Sequence, residues 1–367
     1  MKQGKTLQEL AAEIMRQKDA KIDYLSDTRK LDMIDGENEM KLCIFKEGKK
    51  GLWGKVPSIS INQFAIGEIA HSQIAQKLNI PVKYYDRLRE TQPDMLKYNV
   101  NELFRREPSM QMIRTLDGTA RAFLSDRYRA IDNDMIAEAV LPIIGEWAND
   151  GAEVMSAEIT DRRLYIKVVL PSVQSELSVG DIVQSGIVIS NSEVGHGSVS
   201  VSPLVYRLVC KNGMIRNEAG QRKIHVGRVN TADKNHVVYR DETIEADDKA
   251  FLMKLQDVVR ATADRVHFDN IVGTMRVAQG MPIDAPIPEV VQIVSKNHGM
   301  SEGEGNGVLE HLIRGGDLSL FGVSSAVTRY AHDVDTYDRS TELESIGWEI
   351  VSMSPRAWQQ INQAAKG

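Results

Sequence analysis

Three runs in the middle of the chain constrain its fold more than any other feature: RLYIKVVL at 163–170, IVQSGIVIS at 182–190 and SVSVSPLVYRLVC at 198–210. They are rich in β-branched residues, which suit a pleated surface, and Gly and Asn lie between them, so they predict strands joined by turns. Residues 110–114 and 122–124 predict two more, joined across Asp117-Gly118, a dipeptide that accepts the positive φ angles of a hairpin turn. Helical spacing surrounds this block. Ile66, Ala70, Ile74 and Leu78 share one face, and Asn79-Ile80-Pro81 ends that helix and opens another holding Tyr84, Tyr85 and Leu88. Met135, Ile136, Ala139, Val140 and Ile143 recur at helical spacing within 133–148, and Leu252, Leu255, Val259, Ala263 and Val266 do so later. Shorter helices are expected at 288–296 and 309–314, and Ser354-Pro355 is a cap-plus-proline start for the last. The fold class is therefore α+β: a central, mostly antiparallel sheet flanked by helical amino-terminal and carboxy-terminal regions.

A chain of 367 residues is long enough for two or three domains without staples. Residues 1–60 read as an arm. There Thr6 precedes the stripe Leu7, Leu10, Ala11 and Ile14 of a short amphipathic helix, and a glycine-punctuated stretch of mixed charge at 18–55 follows as a loosely packed hairpin region. Residues 61–229 form the α+β core, and 230–367 a helical region entered through a polar linker at 230–241. The run at 302–307, three glycines among polar residues, is expected to be a mobile loop. Two cysteines, Cys43 and Cys210, are too few for a disulfide scaffold or a cysteine zinc site and fit a cytoplasmic setting. No stretch reaches 18 consecutive apolar residues, so no membrane partner is expected.

The motifs of common enzymes are missing. Gly4-Lys5-Thr6 lacks the earlier glycine of a P-loop, Gly195-His196-Gly197 precedes a strand and not the helix of a dinucleotide fold, and the eight histidines never form an H-x-x-x-H pair. His196 and Ser198 share a glycine-rich turn without a nucleophile elbow. A metal-dependent nuclease would show an acid ahead of E-x-K. Glu39-Met40-Lys41 after Asp27, and Glu47-Gly48-Lys49 after Asp35, both comply, which shows how permissive that pattern is in a charged segment. No catalytic residue, metal ligand or cofactor is assigned.

Charge is the sharper signal. Between 195 and 230, Arg207, Lys211, Arg216, Arg222, Lys223 and Arg228 face the single acid Glu218, a local charge of +5 in a chain of net charge −6. A second cluster, Arg121, Arg127, Tyr128 and Arg129, continues with Arg162, Arg163, Tyr165 and Lys167. Basic side chains on a sheet neutralise phosphates, and tyrosines such as Tyr128, Tyr165 or Tyr206 can stack on unpaired bases.

Five stretches are similar to one family of phage- and plasmid-borne proteins, the domain-of-unknown-function 932 family. They are INQFAIGEIAHSQIAQKLNIPVKYYDRL (61–88), NVNELF (99–104), FLSDRYRAIDN (123–133), ISNSEVGHGSVSVSPLVYRLVCKNGMI (189–215) and AVTRYA (326–331). The resemblance implies a mobile-element origin and a cytoplasmic setting, and it supplies no catalytic residues. The expectation is a non-enzymatic protein that binds nucleic acid, single-stranded DNA first, and is compatible with a homo-oligomer. Its contacts would be Arg127, Tyr128, Arg129, Tyr206, Arg207, Lys211, Arg216, Arg222, Lys223 and Arg228. The alternatives are a metal-dependent nuclease and a factor that binds a host protein.

Overall fold

The computed structural model describes residues 1–37, 39–47, 59–128, 130–216 and 241–367. Helix α1 (Leu7–Ala20) opens on a reciprocal capping box: Thr6 accepts from the Glu9 amide and the Glu9 carboxylate accepts from the Thr6 amide. There follow β1 (Ile22–Asp27), β2 (Leu31–Asp35), β3 (Met40–Glu47), β4 (Ile59–Ile66), α2 (Glu68–Lys77), α3 (Val82–Thr91), α4 (Pro93–Arg106), β5 (Met110–Leu116) and β6 (Thr119–Ser125). The six strands form one sheet in the order β1-β5-β6-β4-β3-β2, antiparallel except between β4 and β6. Residues 1–60 are thus not a separate arm. Four strands of this sheet start there, and β4 runs across the expected boundary.

β1 and β2 are the two edges of the sheet, yet only the 3-10 turn Thr28–Lys30 separates them in sequence. Four residues span at most about 14 Å, so the sheet must curl until its edges approach. Helix α4 covers the β2 edge, where Asn101 accepts from the Met33 amide at 2.7 Å and donates to the Met33 carbonyl at 2.9 Å. That occupies backbone groups which an edge strand leaves open. Leu96, Val100 and Phe104 of α4 pack with Leu31, Met33, Leu42 and Ile74 inside the curl. At the β5–β6 turn, Asp117 and Gly118 take positive φ angles of 51° and 78°, as the dipeptide predicts.

Helix α5 (Asn133–Ala148) leads to a second, fully antiparallel sheet of β7 (Glu153–Ile159), β8 (Leu164–Glu176), β9 (Ile182–Asn191), β10 (Ser200–Arg207) and β11 (Asn212–Ile215), ordered β11-β10-β9-β8-β7. The three β-branched runs are β8, β9 and β10. The strands expected in one central sheet divide between two, because the β5–β6 hairpin pairs with the amino-terminal strands. One face of the second sheet, through Leu164, Ile166, Val168, Ile187, Ile189 and Val201, packs on α1, α5 and α6 (Asp241–Thr262).

The carboxy-terminal helices are α7 (Arg265–Gln279), α8 (Ile287–Asn297), α9 (Glu302–Gly315), α10 (Leu320–Tyr330), α11 (Tyr337–Val351) and α12 (Pro355–Ala364), and they build a core of their own. The glycine-rich run at 302–307 is the first half of α9 and not a mobile loop. Ser301 and Glu304 form a second capping box, and Arg339 holds Glu304 at 2.7 Å. Two of its glycines serve close packing: a Cβ at Gly305 would fall 3.0 Å from the Ser295 hydroxyl and one at Gly307 2.1 Å from the Tyr330 ring. Among the described residues no helix is long and apolar enough to cross a membrane.

Alternation along β8 turns Lys167 away from the α1 side and toward α11. Its ammonium is fully buried, 2.6 Å from the equally buried Glu344 carboxylate, 3.0 Å from the Thr341 hydroxyl and 4.7 Å from the centre of the Tyr337 ring. Replacing Lys167 with Met leaves that carboxylate uncompensated and is expected to lower the unfolding free energy by about 3–5 kcal/mol, whereas the Lys167→Met/Glu344→Leu pair recovers most of the loss. Urea unfolding of both variants measures the difference.

Candidate functional site at the junction of the two sheets

Asp132 occupies the N-cap position of α5 without a side-chain capping bond, Asp134 lies in its first turn, and Glu193 sits in the loop after β9. Acidic side chains are favoured at a helix amino terminus, where the free N–H groups carry partial positive charge. The three carboxylates bring oxygens within 4.8 Å of one another, the arrangement of a candidate metal centre. The cation among them is Lys21, which follows α1: its ammonium lies 2.7 Å from Asp132, 3.0 Å from Asp134 and 3.5 Å from Glu193.

Three further cations complete the set. Lys18 pairs with Asp134 at 2.9 Å, and Arg121 of β6 donates to Glu193 at 2.6 Å. Arg114 of β5, fully buried, donates to Asp132 at 2.6 Å, to Asp23 at 3.0 Å and to the Glu193 carbonyl at 3.0 Å. Four carboxylates thus meet four cations, drawn from the end of α1, the first sheet, the start of α5 and the loop between β9 and β10. Burial by itself would raise the Asp132 carboxyl, but the Arg114 charge and hydrogen bonds from Lys21 and Arg114 outweigh it and hold the group below its ordinary range. Asp134 is held low against the same burial by Lys18 and Lys21. Burial opposes the charge on Lys21, and Asp132 and Glu193 nonetheless keep it above its ordinary value. A divalent ion bound here would have to displace an ammonium that every carboxylate of the triad already contacts.

The network fixes the loop at 192–198. Glu193 accepts from the Asn133 amide at 2.7 Å, Asn191 donates to the Ile131 carbonyl at 2.9 Å, and the Tyr128 hydroxyl donates to the Ser192 carbonyl at 2.9 Å. Gln73 of α2 donates to the Val194 carbonyl at 2.8 Å and accepts from the Phe123 amide at 2.7 Å. The Ser192 hydroxyl donates to the Arg162 carbonyl at 2.8 Å, and the Arg163 guanidinium donates to the His196 carbonyl. Gly195 and Gly197 have φ angles of 80° and 133°, and with His196 they form the exposed tip. Near His196 stand Arg163, half-buried, and Arg162, while Arg127 precedes Tyr128, whose hydroxyl reaches the loop; Arg127 and Arg162 are exposed and without an ion pair among the described residues. Burial, then the charges of Arg162 and Arg163, hold the His196 imidazole below its ordinary value. Among the described residues no hydrogen bond joins His196 to Ser198, so the pair is not an assembled nucleophile and base.

The residues singled out by sequence do not all meet. Tyr206 is buried among Val169, Val188, Leu204 and Ile215, so its ring is core and not a stacking platform. Arg207, on the opposite face of β10, holds Asp181 through two bonds of 2.7 Å with its guanidinium 5.0 Å from the Phe321 ring centre, and is committed within the fold. Arg216 lies 5.3 Å over Trp348, and Lys211 is exposed at the β10–β11 turn with a φ of 54°. Lys167 is internal, as described above, and Tyr165 is buried with its hydroxyl donating to Asp338 at 2.8 Å. Arg127 and Tyr128 belong to the loop rim. Arg129, Arg222, Lys223 and Arg228 lie outside the described residues. Of the two E-x-K patterns, Glu47-Gly48-Lys49 lies partly outside them, and the Asp27 ahead of Glu39-Met40-Lys41 is taken by Arg29 at 2.7 Å.

Replacing Lys21 with Met removes the cation shared by the triad and is expected to lower the unfolding free energy by about 3–5 kcal/mol in urea titration. Asp134, with its folded value depressed below the ordinary 3.8, contributes stability that is complete above that value and lost as pH falls through the folded one. The stability gap between the native chain and Asp134→Asn should therefore be constant near neutrality and close below about pH 4. A gap that persists in acid would show that the carboxylate's charge is not what Lys18 and Lys21 recognise.

Two of the sequence stretches quoted above, 123–133 and 189–215, meet face to face at this junction, and a third, 61–88, reaches it through Gln73. Residues 121–263 match the model of a family described as Domain of unknown function (DUF932). No curated protein and no solved structure matches the chain. The matched span includes Arg121, Asp132, Asp134, Glu193 and the whole exposed loop. Residues 121–263 thus carry the Domain of unknown function (DUF932).

Proposed function

We propose that this chain is a phage- or plasmid-encoded, non-enzymatic protein of the host cytoplasm that binds single-stranded nucleic acid, DNA first, in mobile-element DNA metabolism. The observation that carries the reading is the rim of the 192–198 loop, where Arg127 and Arg162 are exposed and have no ion-pair partner among the described residues, in a chain of net charge −6. An arginine that no carboxylate holds is available to a phosphate. Arg163 and His196 border the same tip, and Lys211 adds a separate exposed cation. The basic residues at 222, 223 and 228 enter the reading by their sequence charge alone. Side-by-side copies of the chain would lengthen the track, which favours a homo-oligomer.

Binding without cleavage is the form of the reading that the carboxylates support. A nuclease needs acidic oxygens open to a divalent ion, and those of Asp132, Asp134 and Glu193 are engaged by Lys21, Arg114 and Arg121. Fluorescence anisotropy with a labelled single-stranded oligonucleotide should show binding that weakens steeply with salt. Arg127→Ala and Arg162→Ala should each weaken it across all sequences and reduce the salt slope by about one. Absence of binding at low salt overturns the proposal, and cleavage products in Mg²⁺ or Mn²⁺ would replace it with the nuclease.

A further inference from the structure

Beside the arginine rim, the curled sheet presents an apolar surface to solvent. On edge strand β1, Leu25 is 61% exposed, and on β5, Met110 is 39% exposed. Register sets Leu25 opposite Met112 and Met112 opposite Leu124, and Met110, two residues before Met112, projects from the same face. This is the outer face: Tyr24, Ile113 and Phe123, at the alternate positions, point into the core of the curl. Leu124 and Met112 in turn pack with Tyr128 and Val194, which carries the apolar surface to the foot of Arg127 and the 192–198 loop.

The acids along this face are mostly neutralised within the fold. Arg29 holds Asp27 at 2.7 Å and Arg114 holds Asp23 at 3.0 Å, leaving Asp126 exposed next to Arg127. An apolar shelf edged by guanidinium groups that have no ion pair among the described residues matches a ligand that is flat and weakly polar on one side and anionic on the other. A nucleic-acid strand with its bases unstacked has that chemistry. From β1 to β6 the shelf measures about 10 Å at the usual strand spacing.

We infer that unpaired nucleobases lie on the shelf of Leu25, Met110 and Met112 while their phosphates meet Arg127 and Arg162; this rests on the single-strand reading above. The test compares the full chain's affinity for a base-bearing oligodeoxynucleotide with that for an abasic strand of equal length. The native chain should prefer the base-bearing strand by about tenfold. The variant Leu25→Gln/Met110→Gln, which alters no charge and touches exposed positions, should lose that preference while keeping its salt slope and its Tm. Equal affinity of the native chain for both strands overturns the shelf and leaves the arginine reading standing. Failure to bind either strand overturns the reading itself. A base preference unchanged by the double substitution, together with self-association that Leu25→Pro abolishes, would assign the β1 edge to pairing with a second protein strand and also overturn the inference.

Discussion

The ammonium of Lys21, wedged among Asp132, Asp134 and Glu193, is what the rest of the structure depends on. The core inside the curled sheet and the core beneath the second sheet are separate apolar clusters, and among the described residues the small group around Ala122, Leu124 and Val194 lies between them. So small an apolar contact is a weak joint. Directional contacts make up for it: Arg114 reaches from β5 to the α5 cap and to the Glu193 carbonyl, and Arg121 reaches from β6 to the Glu193 side chain. Buried ion pairs add little net stability over apolar packing, but they tolerate few alternative alignments. Here that sets the angle between the sheets and the position of the loop.

Local structure was legible in the sequence wherever one residue decides it. The helix that starts after Thr6, the Asp117-Gly118 turn and the Ser354-Pro355 start all lie where the sequence places them. Pairing between distant strands was not legible. Nothing in the pattern of 110–124 says that this hairpin joins β1 and β4 and not β7 to β11, because a half-buried strand shows the same alternation whichever neighbour it takes. The glycines at 302–307 misled for a related reason. In isolation they read as freedom, whereas in the fold Gly305 and Gly307 make room for Ser295 and Tyr330, and the Ser301 cap and Arg339 supply the order.

The junction was hidden in the same way. Lys21, Arg114, Asp132 and Glu193 are spread over more than 170 positions and match no metal or catalytic spacing, so a search by motif passes over them. The signal was the pair of stretches 123–133 and 189–215, which together frame a site that neither contains alone. Counting basic residues along 195–230 overvalued positions such as Arg207, because a local sum of charge is blind to partners that arrive from elsewhere in the chain, here Asp181.

Arginine therefore has two roles in this protein, distinguished by whether a carboxylate is in reach. Arg114 and Arg121 are desolvated and paired, so ions in solution barely screen them; Arg127 and Arg162 stand in water, where a Debye length of about 3 Å at 1 M salt removes most of their pull on a phosphate. Raising the salt should for that reason silence the rim without loosening the joint that holds it. A loop held from Gln73, Arg163, Asn133 and Arg114 has little ordering entropy left to lose when a strand arrives, so weak individual phosphate contacts can add up to useful affinity. The buried charges thereby serve binding at one remove: they touch no ligand, and they keep the groups that would touch it in place.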